Sequence, residues 1–240
     1  ALSQPYTIDG HTILIGASVG ISFAPSDADN AQDLVQAADL ALYSAKAHCR
    51  GTFAFYRAEM QAEHSARRQL EHDLRTAIAE QQFELHYQPI LSIGSREITA
   101  YEALIRWRHP ERGLVMPSEF IPLAEETGLI VPVGYWVLEQ ACRKLAAWRV
   151  TLGPMAPLTT AVNVSARQLV EPGFVEAVEK ILRRTGIEPE LVELEVTESV
   201  AIEDHGAGVA TLHDLKRIGV SLAIDDFGTG YSSLSQLHTL

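Results

Sequence analysis

Cysteine is scarce in this chain: among 240 residues only Cys49 and Cys142 carry a thiol, far apart and in no metal-ligand spacing. That argues against a disulfide framework or a thiolate zinc site, and both thiols are expected to be reduced in a cytoplasmic protein. Basic residues are outnumbered. The 19 Lys and Arg face 31 Asp and Glu, for a formal charge of −12, which argues against a nucleic-acid polymer or other generic polyanion as partner. An anionic small ligand stays compatible if a bound cation offsets local carboxylates. Long apolar runs are missing too. The most apolar stretch, LIVPVGYWVL, is ten residues long and carries Pro132, too short to span a bilayer, so no membrane contact is expected from this segment. The N-terminus has no basic segment followed by an apolar one, so it reads as no signal peptide. Lacking an initiator Met, it reads as cut from inside a longer protein. The nine His show no HxxH or HExxH spacing, and no GxSxG or Walker-type loop occurs.

What is present is a 47% hydrophobic chain that changes character twice. Residues 7–24 read as two strands around Gly16 and Gly20, Asp33 to His48 as a helix with one apolar face, and TFAFY as a returning strand. This ββαβ piece, residues 1–57, is too small to close its own core and reads as the α+β tail of a domain. Residues 58–82 contain no Gly or Pro and carry a sparse stripe of Met60, Leu70, Leu74 and Ile78, which predicts a connecting helix. From Phe83 to Leu240 strands and helices alternate. FELHYQPIL and ITAYEALIRW are the first two strands, with Ser92–Arg96 as the turn, followed by TTAVNVS, LVELEVTE and SLAIDDFG. The intervening helices are SEFIPLAEETG, GYWVLEQACRKLAAWRV, PGFVEAVEKILRRTG and AGVATLHDLKRIG. That pace predicts an α/β fold, a parallel sheet or barrel, and the five strands counted are too few for a closed eight-stranded (β/α)8 barrel.

The strand ends carry the chemistry. Glu102, Asn163, Glu195 and the pair Asp225-Asp226 each lie near the end of a strand-like run, at intervals of about 60, 32 and 30 residues. Oxygen ligands delivered one per strand to a common rim are what a hard divalent cation requires. Each residue alone also has an ordinary reading. A lone strand Glu faces solvent, Asp before a Gly-rich turn is common loop chemistry, and only Asn163 between two valines demands a partner. Gln88 and Arg106 follow apolar strand runs; Arg106 suits a phosphate fork or a surface salt bridge. The loop FGTGYSSLSQL reads as a mobile lid or a simple connection, and Trp107, Trp136 and Trp148 as packing.

From Phe83 onward the chain resembles the EAL family of cyclic di-GMP phosphodiesterases. YQPI, YEALIRWRHP, PSEFIPLAEETG, NVSARQL, ELEVTES and IDDFGTGYSSLS occur in family order over about two thirds of the sequence. Residues 12–56 resemble the C-terminal end of a GGDEF diguanylate cyclase domain through SVGIS, ADLALYSAK and CRGTFAFY, with Cys49 where that family usually has Gly. The resemblance implies a TIM-type barrel that linearises cyclic di-GMP with two Mg²⁺ or Mn²⁺ ions. It implies Glu102, Asn163, Glu195 and Asp225 as metal ligands, Asp226 at the second metal, and Glu198 steadying the loop beyond it. It implies Gln88, Leu104 and Arg106 as contacts to the dinucleotide, and Lys46 and Arg50 as remnants of cyclase phosphate contacts. The family continues with a Lys-bearing strand, an AEGVE-like Glu and a late Gln that this sequence does not reach, so the chain as written is expected not to hydrolyse its substrate. A non-catalytic cyclic di-GMP receptor is the alternative, and an unrelated metal-dependent barrel enzyme a third. Homodimerisation of the parent is left open.

Overall fold

The computed structural model describes residues 6–8, 11–13, 15–48, 51–153, 156, 159–197 and 207–225. It divides into two units, Ala1–His72 and Asp73–Leu240. The first unit contains three strands before its helix, where the sequence predicts two. β1 (Tyr6–Ile8) and β2 (His11–Ile13) form an antiparallel pair in the register Tyr6↔Ile13. The predicted first strand is thus two paired strands, with the dipeptide Asp9-Gly10 between them in the sequence. β3 (Val19–Ile21) runs parallel to β4 (Phe53–Phe55), with α1 (Ala31–His48) as the crossover. Asn30 caps α1: its Oδ1 accepts from the Asp33 amide at 2.9 Å and its Nδ2 donates to Asp33 Oδ2 at 2.7 Å. Buried Ala37, Ala41 and Ala45 let α1 lie close to β3. The approach is so tight that a Cβ on Gly20 would stand 1.9 Å from the Ala38 carbonyl oxygen.

α2 (Glu59–Ala77) is a helix within the predicted stretch 58–82 and buries Met60, Leu70 and Leu74 of its stripe. The second unit is a sheet in the order β10-β9-β8-β6-β5. β5 (Phe83–Leu91) and β6 (Ile98–His109) are antiparallel, which corrects the expectation of five parallel strands. The physical reason was in the sequence, because the short turn Ser92–Arg96 cannot make the long crossover that a parallel pair needs. β8 (Thr159–Val164), β9 (Val192–Thr197) and β10 (Ser221–Asp225) then add in parallel to β6. A short strand absent from the sequence reading, β7 (Gly113–Val115), folds back on the end of β6.

The connecting helices are α3 (Pro117–Thr127), α4 (Ile130–Leu152), α5 (Ala166–Leu169), α6 (Phe174–Thr185) and α7 (Ala207–Ile218), with a 3-10 turn at Pro189–Leu191. α4 begins four residues before the predicted start, since Pro132 falls in its first turn, where its missing N–H is not needed. No helix among the described residues is long and apolar enough to cross a membrane. Cys142 on α4 is a free, buried thiol, pushed up to about 12 chiefly by burial. Cys49 and Arg50 lie outside the described residues, and Lys46 is exposed on α1.

Period-two alternation decides what each face of the sheet carries. Ala103, Ile105, Trp107, Val162, Val164, Val192, Leu194 and Val196 are buried on one face, where the helices contribute Phe120, Leu138, Leu145, Val178, Leu182 and Leu215. Phe83 lies 5.9 Å from Trp107, 5.8 Å from Phe120 and 5.7 Å from Trp136, ring centroid to centroid. Trp148 packs on Tyr87 and Tyr101 at 4.9 and 5.1 Å. All three tryptophans are therefore packing residues. The end of β6 is tied down by polar bonds as well. Trp107 Nε1 donates to Gln82 Oε1 at 2.8 Å, and His109, 5% exposed, has Nε2 3.0 Å from Asp73 Oδ2. Its Nδ1 accepts from the Glu111 and Arg112 amides, so the proton sits on Nε2 and is donated to Asp73.

After β8, Ser165 opens α5 with a capping box: its N–H donates to Gln168 Oε1 at 3.1 Å, and the Gln168 amide donates to Ser165 Oγ. Gln168, 3% exposed, presses against Gly134 of α4, where a Cβ would stand 2.1 Å from its Nε2 and 2.5 Å from its Cδ. Because that amide is locked by the cap, Gly134→Ala has nowhere to place its methyl. It is expected to lower stability by about 1–3 kcal/mol, the overpacking range, in urea unfolding of the natural protein. An unchanged midpoint would contradict this packing.

Candidate metal centre

The face of the sheet opposite the helices carries the candidate residues, and strand register shows why. Glu102 of β6 is paired with Ala161 of β8, Asn163 with Glu195 of β9, and Glu195 with Ala223 of β10. Paired residues share a face, and so do residues two apart on one strand. Glu102, Asn163, Glu195 and Asp225 therefore all project from one face. They step upward by one level between β6 and β8 and again between β9 and β10, the stagger that tilted parallel strands produce.

The side chains engage one another. Asn163 Nδ2 donates to Glu102 Oε1 at 2.7 Å. Asn163 is exposed, so its partner is found at the strand end and not in the apolar interior that its flanking valines suggested. Glu195 has a buried Oε2 with no hydrogen-bond partner. Its carboxyl is pushed up to about 7, first by burial and then by the charges of Glu102, Asp225 and Glu193. An orphaned carboxylate oxygen facing two further carboxylates and an amide oxygen is a donor set with unmet demand for a cation, and the all-oxygen chemistry fits a hard one. Among the described residues, no three His, Cys, Asp or Glu side chains are already drawn to the spacing of a single ion. Asp226 and Glu198 lie outside the described residues, as does the FGTGYSS loop.

The predicted ligand contacts fall on the same face. Gln88 stands directly opposite Glu102 across the β5–β6 ladder, Leu104 opposite His86, and Arg106 opposite Glu84. Arg106 Nη1 donates to the Ile105 carbonyl at 2.8 Å. The salt bridge that the sequence reading allowed for Arg106 is made by Arg108 instead, which forks onto Glu84 at 3.0 and 2.8 Å. Glu84, His86, Arg108 and Glu193 were not among the predicted site residues. Their signal was available: they alternate in phase with Gln88, Arg106 and Glu195.

An α/β protein with an acidic, oxygen-only cluster at the ends of its parallel strands is thus defined by geometry. The EAL domain family matches residues 71–240, and the diguanylate cyclase, GGDEF domain family matches residues 1–52. The chain belongs to the EAL family. It is 44% identical over 239 residues to the bifunctional diguanylate cyclase/cyclic di-GMP phosphodiesterase MucR of Pseudomonas aeruginosa, covering 100% of this chain and 35% of MucR. It is 38% identical over 236 residues to the cyclic di-GMP phosphodiesterase PdeR of Escherichia coli, covering 98% of this chain and 35% of PdeR. The chain thus spans about a third of the length of these curated relatives. Among solved structures, the MucR phosphodiesterase in complex with c-di-GMP matches with a TM-score of 0.67 at 47% identity, over 72% of this chain and 69% of that one. The EAL enzyme Bd1971, bound to cAMP and cyclic di-GMP, matches with a TM-score of 0.69 at 32% identity, over 74% and 49%.

The raised Glu195 carboxyl has a consequence for stability. The folded protein holds that proton more tightly than the unfolded chain, so stability falls as pH rises between the ordinary carboxylate range and about 7. In cation-free buffer Glu195→Gln is expected to recover about 1 kcal/mol at pH 8, the shift discounted for a half-exposed group, and little at pH 4. Equal effects in thermal melts at both values would contradict the strain on this carboxylate.

Proposed function

We propose that this chain supplies the first five strands of a cyclic di-GMP phosphodiesterase that opens one phosphodiester bond to give linear pGpG. Supporting it most directly is the single face that carries Glu102, Asn163, Glu195 and Asp225, with the unpartnered Glu195 oxygen among them. Residues 83–240 would form the catalytic domain, 58–82 the connecting helix and 1–57 the remnant of a cyclase domain, in a cytoplasmic setting. MucR and PdeR, named for this activity, lend it support through their identity to nearly the whole chain.

The four oxygen-bearing side chains would hold a pair of Mg²⁺ or Mn²⁺ ions together with Asp226, while Glu198 would steady the loop beyond it. When bound, such ions would supply Lewis acidity for the phosphate and lower the pKa of a water nucleophile. The chain's own residues do the positioning. Asn163 steadies the Glu102 carboxylate through its 2.7 Å hydrogen bond. Gln88, Leu104 and Arg106 line the same face for the cyclic dinucleotide, with the Arg106 guanidinium suited to a two-point grip on a phosphate. The non-catalytic receptor alternative is disfavoured by the residues themselves, since all of these ligand positions bear oxygen donors.

In the natural protein, Glu102→Ala is expected to lower turnover of cyclic di-GMP by about 100-fold or more with the fold intact, beyond the loss seen when only outer-shell groups are removed. Retention of activity within about threefold in saturating Mg²⁺ would rule out Glu102 as a ligand. The 240-residue chain alone is expected to show no turnover in the same assay of linear product, and a rate equal to that of the natural protein would refute this. Arg106→Ala, on an inactive background, is expected to weaken binding by about 1.5–3 kcal/mol in calorimetry, the scale of a charged hydrogen bond. Unchanged affinity would remove Arg106 from the ligand site.

A further inference from the structure

Arg106 has a competitor for its charge inside the protein. Glu84 stands directly opposite it in the antiparallel β5–β6 ladder, the arrangement in which opposite charges pair. The two residues nevertheless do not bond. The Glu84 carboxylate is taken by Arg108, whose Nε donates to Oε2 at 3.0 Å and whose Nη2 donates to Oε1 at 2.8 Å. His86 Nε2 lies 3.0 Å from the same Oε1. These bonds, His86 first and then Arg108, hold the Glu84 carboxyl below its ordinary range. Of the two, only Arg108 brings a permanent compensating charge. Arg106, left out of this cluster, rests against the Ile105 carbonyl.

We propose that Arg108 is a positioning residue for the ligand: by forking onto Glu84 it withdraws that carboxylate from Arg106 and keeps the Arg106 guanidinium available for a phosphate. The inference rests on the reading of Arg106 as a contact to the cyclic dinucleotide. A carboxylate that pairs with Arg106 must be displaced before a phosphate can bind, and that displacement subtracts from affinity. A guanidinium already free of it is preorganised. Arg108 itself, its side chain 67% exposed, need not touch the ligand.

The test is a mutant cycle in the natural protein, measuring cyclic di-GMP affinity by calorimetry on an inactive background and KM and kcat on the active one. Arg108→Ala releases Glu84 and is expected to raise Kd and KM by about threefold to fivefold, the scale of an exposed ion pair, with kcat unchanged. Adding Glu84→Gln removes the competitor and is expected to return both constants to the wild-type values. Arg112→Ala makes the same change of charge farther along the hairpin and is expected to do nothing. The proposal is overturned if Arg108→Ala binds normally, if the double variant stays as weak as Arg108→Ala, or if Arg112→Ala matches it. Wild-type protein that binds no cyclic di-GMP, or Arg106→Ala that binds it normally, overturns the site reading and this inference with it. A flat cycle alongside a weakened Arg106→Ala overturns this inference alone.

Discussion

Carboxylates on one face of a sheet repel one another, and the Asn163 amide that donates to Glu102 brings no counter-charge. What holds them is the other face. Each strand presents alternate residues, such as Ala103, Ile105, Val162, Val164, Leu194 and Val196, to a helical layer, and burying them fixes the register of the whole ladder. A slip of one residue would move every apolar side chain out and every carboxylate in. The apolar core thus sustains an electrostatically unfavourable cluster, and Glu195, with its carboxyl pushed up to about 7, is where that tension is concentrated. A raised carboxyl with a buried oxygen that no hydrogen bond satisfies suits a ligand of opposite charge.

Polar devices of modest size complete the frame. The Ser165–Gln168 box ends β8 two residues after Asn163, and Gln168 against Gly134 sets how closely α5 approaches α4. Arg167 donates to the Glu125 carbonyl at 3.0 Å, satisfying the end of α3. At the end of β6, the buried His109–Asp73 and Trp107–Gln82 bonds hold the strand that carries Glu102, Leu104 and Arg106. None of these groups touches the open face, yet each fixes the height or direction of a strand end.

Most of this frame was legible in the sequence. The apolar and β-branched runs mark β6, β8 and β10, the helical stripes mark α1, α2, α6 and α7, and the short turn at Ser92–Arg96 marks a hairpin. The parallel pairing assumed for β5 ignored that turn, while β7 and α5 are too short to generate a periodic signal. Of the candidate site, Asn163, Glu195 and Asp225 were readable from their places near strand ends, whereas Glu102 lies mid-strand in the longer β6 and shares their face by register. Which arginine pairs with Glu84 was not. Arg106 and Arg108 share a face, and only the actual geometry distinguishes the opposite neighbour from the diagonal one that wins. Asp226 rests on its place beside Asp225 and on the family resemblance, Glu198 on the resemblance alone.

On the proposed reading Glu195, its carboxyl pushed up to about 7, joins Glu102, Asn163 and Asp225 in holding a divalent cation. Calorimetric titration of Mn²⁺ into the natural protein at pH 6, in buffers of different ionisation enthalpy, counts the protons released on binding. Release of about one proton at pH 6, vanishing in the Glu195→Gln variant, is the expected result. Mn²⁺ binding that releases no proton, or the same release from wild type and Glu195→Gln, would contradict it.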